Sequence, residues 1–253
     1  MIRRLLVLWM ALAPLWAAAV PMGFDEARHL LNRTSFAANL EDIESFAKLT
    51  RAQAVDQLLA WTAGKMVTPP PAWIGEFESP RKLRDASEEE RKAFQRRQFE
   101  KGAELRAWWL TEMLTTPSPL TEKMVLFWHN HFVSSLQKVR SPVLMYRQNQ
   151  LLRKHALGYF GDMLHEVSKD PAMVVYLDSA SNRKGKPNEN FAREVMELFT
   201  LGEGNYGEQD VKEAARAFTG WSIELETGEF LFRRPAHDEG VKTLLGQIGR
   251  AHV

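Results

Sequence analysis

The chain has 253 residues, no cysteine, and 33 lysines and arginines against 32 aspartates and glutamates, for a formal charge of +1. Such a balance gives no bulk field to draw in nucleic acid or an anionic membrane, and the missing cysteines exclude a disulfide framework. With 45% hydrophobic residues, among them 8 tryptophans and 14 phenylalanines, the chain can bury a large aromatic core.

Met1 to Ala19 carries Arg3 and Arg4, then an apolar run from Leu5 to Trp16, then Ala17-Ala18-Ala19. This pattern predicts a secretory signal peptide cleaved before Val20, and with it a periplasmic or secreted location. The apolar run is short for a bilayer span, so no membrane association is expected beyond the leader. Loss of Arg3 and Arg4 with the leader takes the formal charge from +1 to −1.

Asp25 to Asn32 reads as a short helix with Ala27, Leu30 and Leu31 inward. Asn39 can cap a second helix from Leu40 to Lys48. Thr50 with Gln53 forms a capping box for a third, Arg51 to Thr62, which would turn Ala54, Leu58 and Trp61 to one side. Gly64 and Thr68-Pro69-Pro70-Pro71 then break the pattern, and residues 64–86 read as a loop wrapping the surface. Ser87 with Glu90 opens a long helix to Thr115. Its charged early part, Arg91 to Arg97, reads as a solvated face, and its later part, with Leu105, Trp108, Trp109, Met113 and Leu114, as buried.

Ser118-Pro119 and Ser141-Pro142 each place proline at the first helical position. Between them, Lys123 to Phe132 is hydrophobic on nearly all sides and reads as a buried helix. His129 and His131 lie within it. Two positions apart on a regular helix they point about 200° away from each other, which argues against one shared metal and for separate hydrogen-bond partners in the core. Pro142 to Ala156 continues as helix, and Tyr159 to Val167 follows with Phe160, Met163 and Leu164 inward. Asp170-Pro171 starts a short helix that delivers Asp178, after which Ser179 to Pro187 forms a polar loop with Arg183, Lys184 and Lys186.

That loop leads into Asn188 to Phe199, the helix on which the candidate site is built. Asn188 can cap its first turn, and Glu189 lies where the helix dipole favours an anion. At helical spacing Asn190, Glu194 and Glu197 share a face beside the apolar stripe Phe191, Val195 and Leu198. Leu201-Gly202 supplies a stop. Gly202 to Gly207 is glycine-rich, but it follows a helix instead of a strand, so it reads as a connection and not a phosphate cradle. Gln209 to Phe218 is a further helix with Val211, Ala214, Ala215 and Phe218 on one side. Ile223 to Glu226 and Glu229 to Phe232 alternate around Thr227-Gly228 as a β-hairpin, and His237-Asp238 follows in a polar loop. The whole is an all-α fold of about nine to ten helices with a small β-hairpin near the C-terminus, one helical domain over residues 20–247.

Several separated motifs carry a family resemblance: Trp128-His129-Asn130-His131-Phe132, Tyr176-Leu177-Asp178, Arg183 to Glu194 with its Asn188-Glu189-Asn190 block, Ala217-Phe218-Thr219-Gly220-Trp221, and His237-Asp238 with Lys242 and Leu245-Gly246. Together they resemble the bacterial domain-of-unknown-function 1800 family over most of the chain. The resemblance implies exported, mainly helical proteins longer than this chain, often encoded beside a sulfatase-like family, which makes an exported sulfatase-like protein the expected partner. Phe199 stands where many members have histidine and Gly207 where many have threonine, so a site needing a histidine on this helix does not transfer. Ile248 to Val253 reads like a translated sequencing adapter, which predicts a native part ending near Gln247, a non-native tail over 248–253 and a domain incomplete at its C-terminus.

Four functions are compatible with these residues. In an interaction or assembly protein, the polar groups around the Asn-Glu-Asn helix form a buried network that fixes packing. In an acid/base or metal-dependent enzyme, possible as a hydrolase, Glu194, His131, His237 and Asp238 are the catalytic candidates. Asn188, Asn190, Arg193 and Lys186 would then bind substrate, and Glu194, Glu197, Asp178 and His129 would ligate a divalent metal ion such as Ca²⁺, Mn²⁺ or Mg²⁺. The tryptophans suggest a carbohydrate-binding module, although most occupy core-type positions. Helical histidines permit haem, without any Cys-x-x-Cys-His motif. The first reading is preferred and the second is its alternative.

Overall fold

The computed structural model describes residues 20–36 and 38–250, so the leader reading of Met1 to Ala19 lies outside the described residues. Local capping sets the frame. The Asn39 side chain accepts from Asp42 N at the start of α2 (Leu40–Ala47), and reciprocal capping boxes, Thr50 with Gln53 and Ser87 with Glu90, open α3 (Arg51–Trp61) and α4 (Glu88–Thr115). Together with α1 (Gly23–Thr34), the helices α2 and α3 enclose Ala27, Leu31, Ile43, Phe46, Ala54 and Leu58. Residues 64–86 contain two single-turn 3₁₀ segments and lie against α4, where Trp73 is buried and donates to Glu104 at 2.7 Å.

The main core gathers α5 (Pro119–His131), α7 (Pro142–His155), α8 (Phe160–Ser168) and α9 (Pro171–Tyr176) around Val125, Phe132, Leu152, Met163, Met173, Phe191, Phe199 and Trp221. The short α6 (Leu136–Val139) links α5 to α7. Three expectations are corrected here. Helix α5 is not buried all round: Val125 is inside, whereas Phe127 is 52% exposed, and the other fully enclosed side chain is Glu122. Arg153 supplies the charge that Glu122 requires, at 2.6 and 2.8 Å. Phe160 is partly exposed on the outer side of the Phe132 ring. In α4, Leu105, Trp108 and Met113 are buried but Leu114 is exposed.

The expected helix from Asn188 to Phe199 is α10 (Asn190–Glu194) running into a π-helical turn, Val195–Thr200. A π turn takes an extra residue, so side chains after Glu194 rotate away from their α-helical positions. That shift explains why Leu198, placed in the apolar stripe by α spacing, is 58% exposed while Met196 and Phe199 are buried. The segment therefore serves two cores: Phe191 and Phe199 enter the main one, and Ala192 and Met196 pack with Val211, Ala214 and Ala215 of α11 (Glu208–Ala217).

The expected hairpin is present as β1 (Trp221–Ile223) antiparallel to β2 (Phe230–Phe232). A second pair, β3 (Lys242–Leu244) with β4 (Gln247–Gly249), was not anticipated. Leu245 and Gly246 form its two-residue turn, both at positive φ. Ile248 and Gly249 are thus paired with Thr243 and Lys242. No helix among the described residues is long and apolar enough to cross a membrane.

Candidate functional site

Two of the resemblance motifs, Arg183 to Glu194 and Ala217 to Trp221, meet at one buried amide. Asn182 is 2% exposed. Its Nδ2 donates to Ala215 O at the end of α11 (2.8 Å), its Oδ1 accepts from Asn188 N (2.9 Å), and its carbonyl accepts from Gly220 N (3.0 Å). The Asn182 side chain thereby joins the end of the basic loop to α11, and its backbone carbonyl ties the loop's start to the segment before β1. Within the loop, Arg183 and Lys186 bridge each other's backbone around Gly185 at φ 77°, and Lys184 N donates to Ala236 O at 2.7 Å. Asn188 Oδ1 accepts from Asn190 N at 3.0 Å, as expected of a cap, although it acts two residues ahead of α10.

Thr219 and Gly220 hold the opposite side. Thr219 Oγ1 donates to Arg216 O (2.7 Å) and accepts from Asp238 N (2.8 Å). The Thr219 carbonyl takes a 2.8 Å hydrogen bond from His237 Nδ1; a carbonyl only accepts, so this fixes the proton on Nδ1. Gly220 has φ 89°, and a Cβ there would lie 2.8 Å from Arg233 O, so the position admits only glycine without strain.

Around this hub most of the nominated side chains are engaged structurally. Asp238 pairs with Arg216 at 3.0 and 3.2 Å, and that guanidinium holds its carboxyl down to about 2. Arg216 also binds Glu213, which accepts from Thr243 N, and the buried Lys242 donates to the Asp238 carbonyl. The chain from Glu213 through Arg216 and Asp238 to Lys242 clamps β3 onto α11. His237 and Asp238 are therefore neighbours in sequence with separate partners. Of the two carboxylates four residues from it, Glu189 and Glu197, Arg193 pairs with Glu189 (3.2 Å), and it pairs more closely with Glu208 (2.9 Å). Asp178, at φ 56°, pairs with Lys138 at 2.8 Å.

The histidines of α5 behave as the helical geometry requires. His131 Nε2 lies 3.1 Å from Phe199 O, among the rings of Phe127, Trp128, Phe132 and Phe160. His129 is enclosed against Trp109, with Nε2 3.2 Å from Asn149 Nδ2, and its pKa is pushed down to about 4, first by burial and then by nearby Arg153. On the α10 segment Asn190 is exposed, Glu197 accepts from Tyr206 Oη at 2.8 Å, and the Glu194 carboxyl is raised by partial burial and by Glu197. Glu194, Glu197, Asp178 and His129 are not brought together: among the described residues no three histidine, aspartate or glutamate side chains converge as a cation site would need. Lys186 is exposed at the loop tip beside Arg183 and Asn188.

Sequence reasoning missed Asn182, the residue on which the site depends, and Arg233, whose carbonyl covers Gly220. Asn182 carries no local signal, because its partners lie six, 33 and 38 positions away.

These features define a helical scaffold that holds a basic loop rigidly between two interior supports. Residues 29–252 match the model of a family described as protein of unknown function (DUF1800), and the chain belongs to that family. No curated protein and no solved structure matches the chain.

Proposed function

We propose that this is an exported interaction protein, in which the motif residues build a platform for a protein partner instead of a reaction centre. The observation that carries this reading is the engagement of His237, Asp238, Asp178, Arg193 and both α5 histidines in hydrogen bonds or ion pairs that tie elements together. Side chains already committed to bonds between elements serve specific packing, which favours a structural role over proton transfer. The leader pattern of Met1 to Ala19 supports export, and the family resemblance supports a sulfatase-like partner.

The alternative, an acid/base or metal-dependent enzyme, draws on one observation: Glu194, partly buried beside Glu197, has a raised pKa and no side-chain hydrogen-bond partner among the described residues. A single experiment separates the two. The protein and its Glu194→Gln variant are tested for a stoichiometric complex with the co-expressed sulfatase-like protein by light scattering, and for bound metal by elemental analysis. The interaction reading expects a complex with both proteins, no retained metal, and a melting temperature unchanged or slightly higher in the variant, since neutralising a partly desolvated carboxylate removes a cost. A stoichiometric ion present in the parent and lost from Glu194→Gln would overturn it.

A further inference from the structure

The basic loop and the 3₁₀ turn after β2, Arg234–Ala236, form a concave surface whose positive charge has no ion-pair partner among the described residues. Arg183, Lys184 and Arg233 line one depression, with Pro235 and Ala236 as its floor. Arg183 and Lys186 line a second, with Ser181, Pro187, Asn188 and Glu189, whose carboxylate is paired with Arg193. The two share Arg183. All four cations are exposed, and none forms an ion pair among the described residues. Of the carboxylates close to them in sequence, Asp178 pairs with Lys138, Glu189 with Arg193 and Glu239 with Arg234, and Glu229 reaches none of the four. Four like charges fixed on a backbone that cannot relax repel one another, and an anion with several spaced charges removes that repulsion.

We infer that this cleft binds an acidic peptide segment of a partner protein. The inference rests on the interaction reading and specifies its contact. Two arginines favour carboxylates, which they take bidentately, and the lysines beside them add point charges. The Asn188 amide and Ser181 hydroxyl at the edge suit a peptide backbone. No aromatic side chain lines either depression. A single-stranded nucleic acid would need such rings as stacking platforms, and the concave shape does not suit a flat lipid surface.

The test is fluorescence anisotropy of a labelled oligoglutamate peptide with the full chain, with inorganic tripolyphosphate and heparin as competitors. Two charge-reversed variants are compared: Arg183→Glu with Lys186→Glu in the cleft, and Arg96→Glu with Arg97→Glu on α4. Binding that weakens with salt, is lost by about tenfold or more in the cleft variant and is retained in the α4 variant is the expected result. Equal binding by both variants, or none by the parent, would overturn it. So would tripolyphosphate or heparin binding to the cleft while the peptide does not, because the site would then be one for phosphate or sulfate. All substituted side chains are exposed, so unchanged circular dichroism serves as the folding control. A complex with the sulfatase-like protein that survives the cleft reversal would sink this inference and leave the interaction reading standing. A metal lost from Glu194→Gln would sink the reading by itself.

Discussion

Two basic regions of this molecule differ in how their positive charge is answered. Along the first half of α4, Lys92 meets Glu88 at 2.6 Å, Arg96 meets Glu100 at 2.9 Å, and Arg97 and Lys101 both reach Glu78, at 3.0 and 2.7 Å. Around the loop at Arg183, Lys184 and Lys186, no cation has such a partner among the described residues. The helix places carboxylates four residues from its cations, and the adjoining 64–86 segment brings up Glu78. The loop is tied by its backbone and by Asn182, so its side chains cannot turn inward to seek partners. Counting positive residues, five from Glu88 to Lys101 and three in the loop, would favour the helix as the basic surface. Their pairing separates a solvated face from a poised one.

The comparison is broken most directly at Asn182. Asn182→Ala removes the bond to Ala215 O and orphans Asn188 N in a buried place, and is expected to cost about 3 kcal/mol. For a chain of this size that lowers the melting temperature by roughly 6–12 °C, read by calorimetry. A change under about 2 °C would mean that the loop is not held from within.

A second effect sharpens the account of the loop's entry. Asp170 caps α9 by accepting from Met173 N at 2.9 Å and also binds Gln148 at 2.8 Å, and its burial raises the carboxyl to about 7. A raised folded pKa adds stability that is complete below the unfolded value of 3.8 and is lost as pH rises through about 7. His129 has the opposite sign: with its folded pKa at about 4, its contribution is present above the unfolded value of 6.5 and is lost as pH falls towards 4. The two slopes oppose each other in one window. Asp170→Asn should therefore leave the His129 slope uncovered, and the variant's melting temperature should fall more steeply than the parent's between pH 6.5 and 4. Parallel curves for parent and variant would contradict that balance.

The smallest effect tests the comparison itself. Lys184→Glu should leave stability unchanged or raise it by a few tenths of a kcal/mol, since it relieves repulsion, whereas Arg97→Glu should lose about 0.5 kcal/mol by setting a carboxylate against Glu78. Urea midpoints at low and high salt would resolve the signs, and both differences should shrink as salt is added.

Much of the helical frame was legible because caps are local. Asn39, Thr50, Ser87 and Asp170 each find their partner three residues on. The expectation that residues 64–86 wrap the surface holds for the same reason, since proline and glycine act on their own backbone. What escaped the sequence depends on distant residues. The π turn after Glu194 moves Leu198 out and Phe199 in, and nothing in the spacing of apolar residues announces it. The β3–β4 pair rests on three-residue strands and a Leu-Gly turn, too short for a periodicity. Within the site, Asn188 and the Arg193–Glu189 pair were readable as neighbours in a helix start, while Asn182, Glu208 and Arg233 join across the fold. The metal grouping joined residues that suit a cation by type from distant parts of the chain, and among the described residues Asp178 meets Lys138, His129 meets Asn149 and Glu197 meets Tyr206 instead.

Gly185 and Gly220 divide the neighbourhood by mutational freedom. The backbone bonds that close the loop ask nothing of the side chains at positions 183, 184 and 186, whereas the positive φ values at 185 and 220 ask for glycine. Evolution, or an engineer, can rewrite three adjacent letters of charge without disturbing the frame beneath. The loop thus behaves as an exchangeable recognition cassette, and divergence in what this architecture captures would be written there while its interior stays the same.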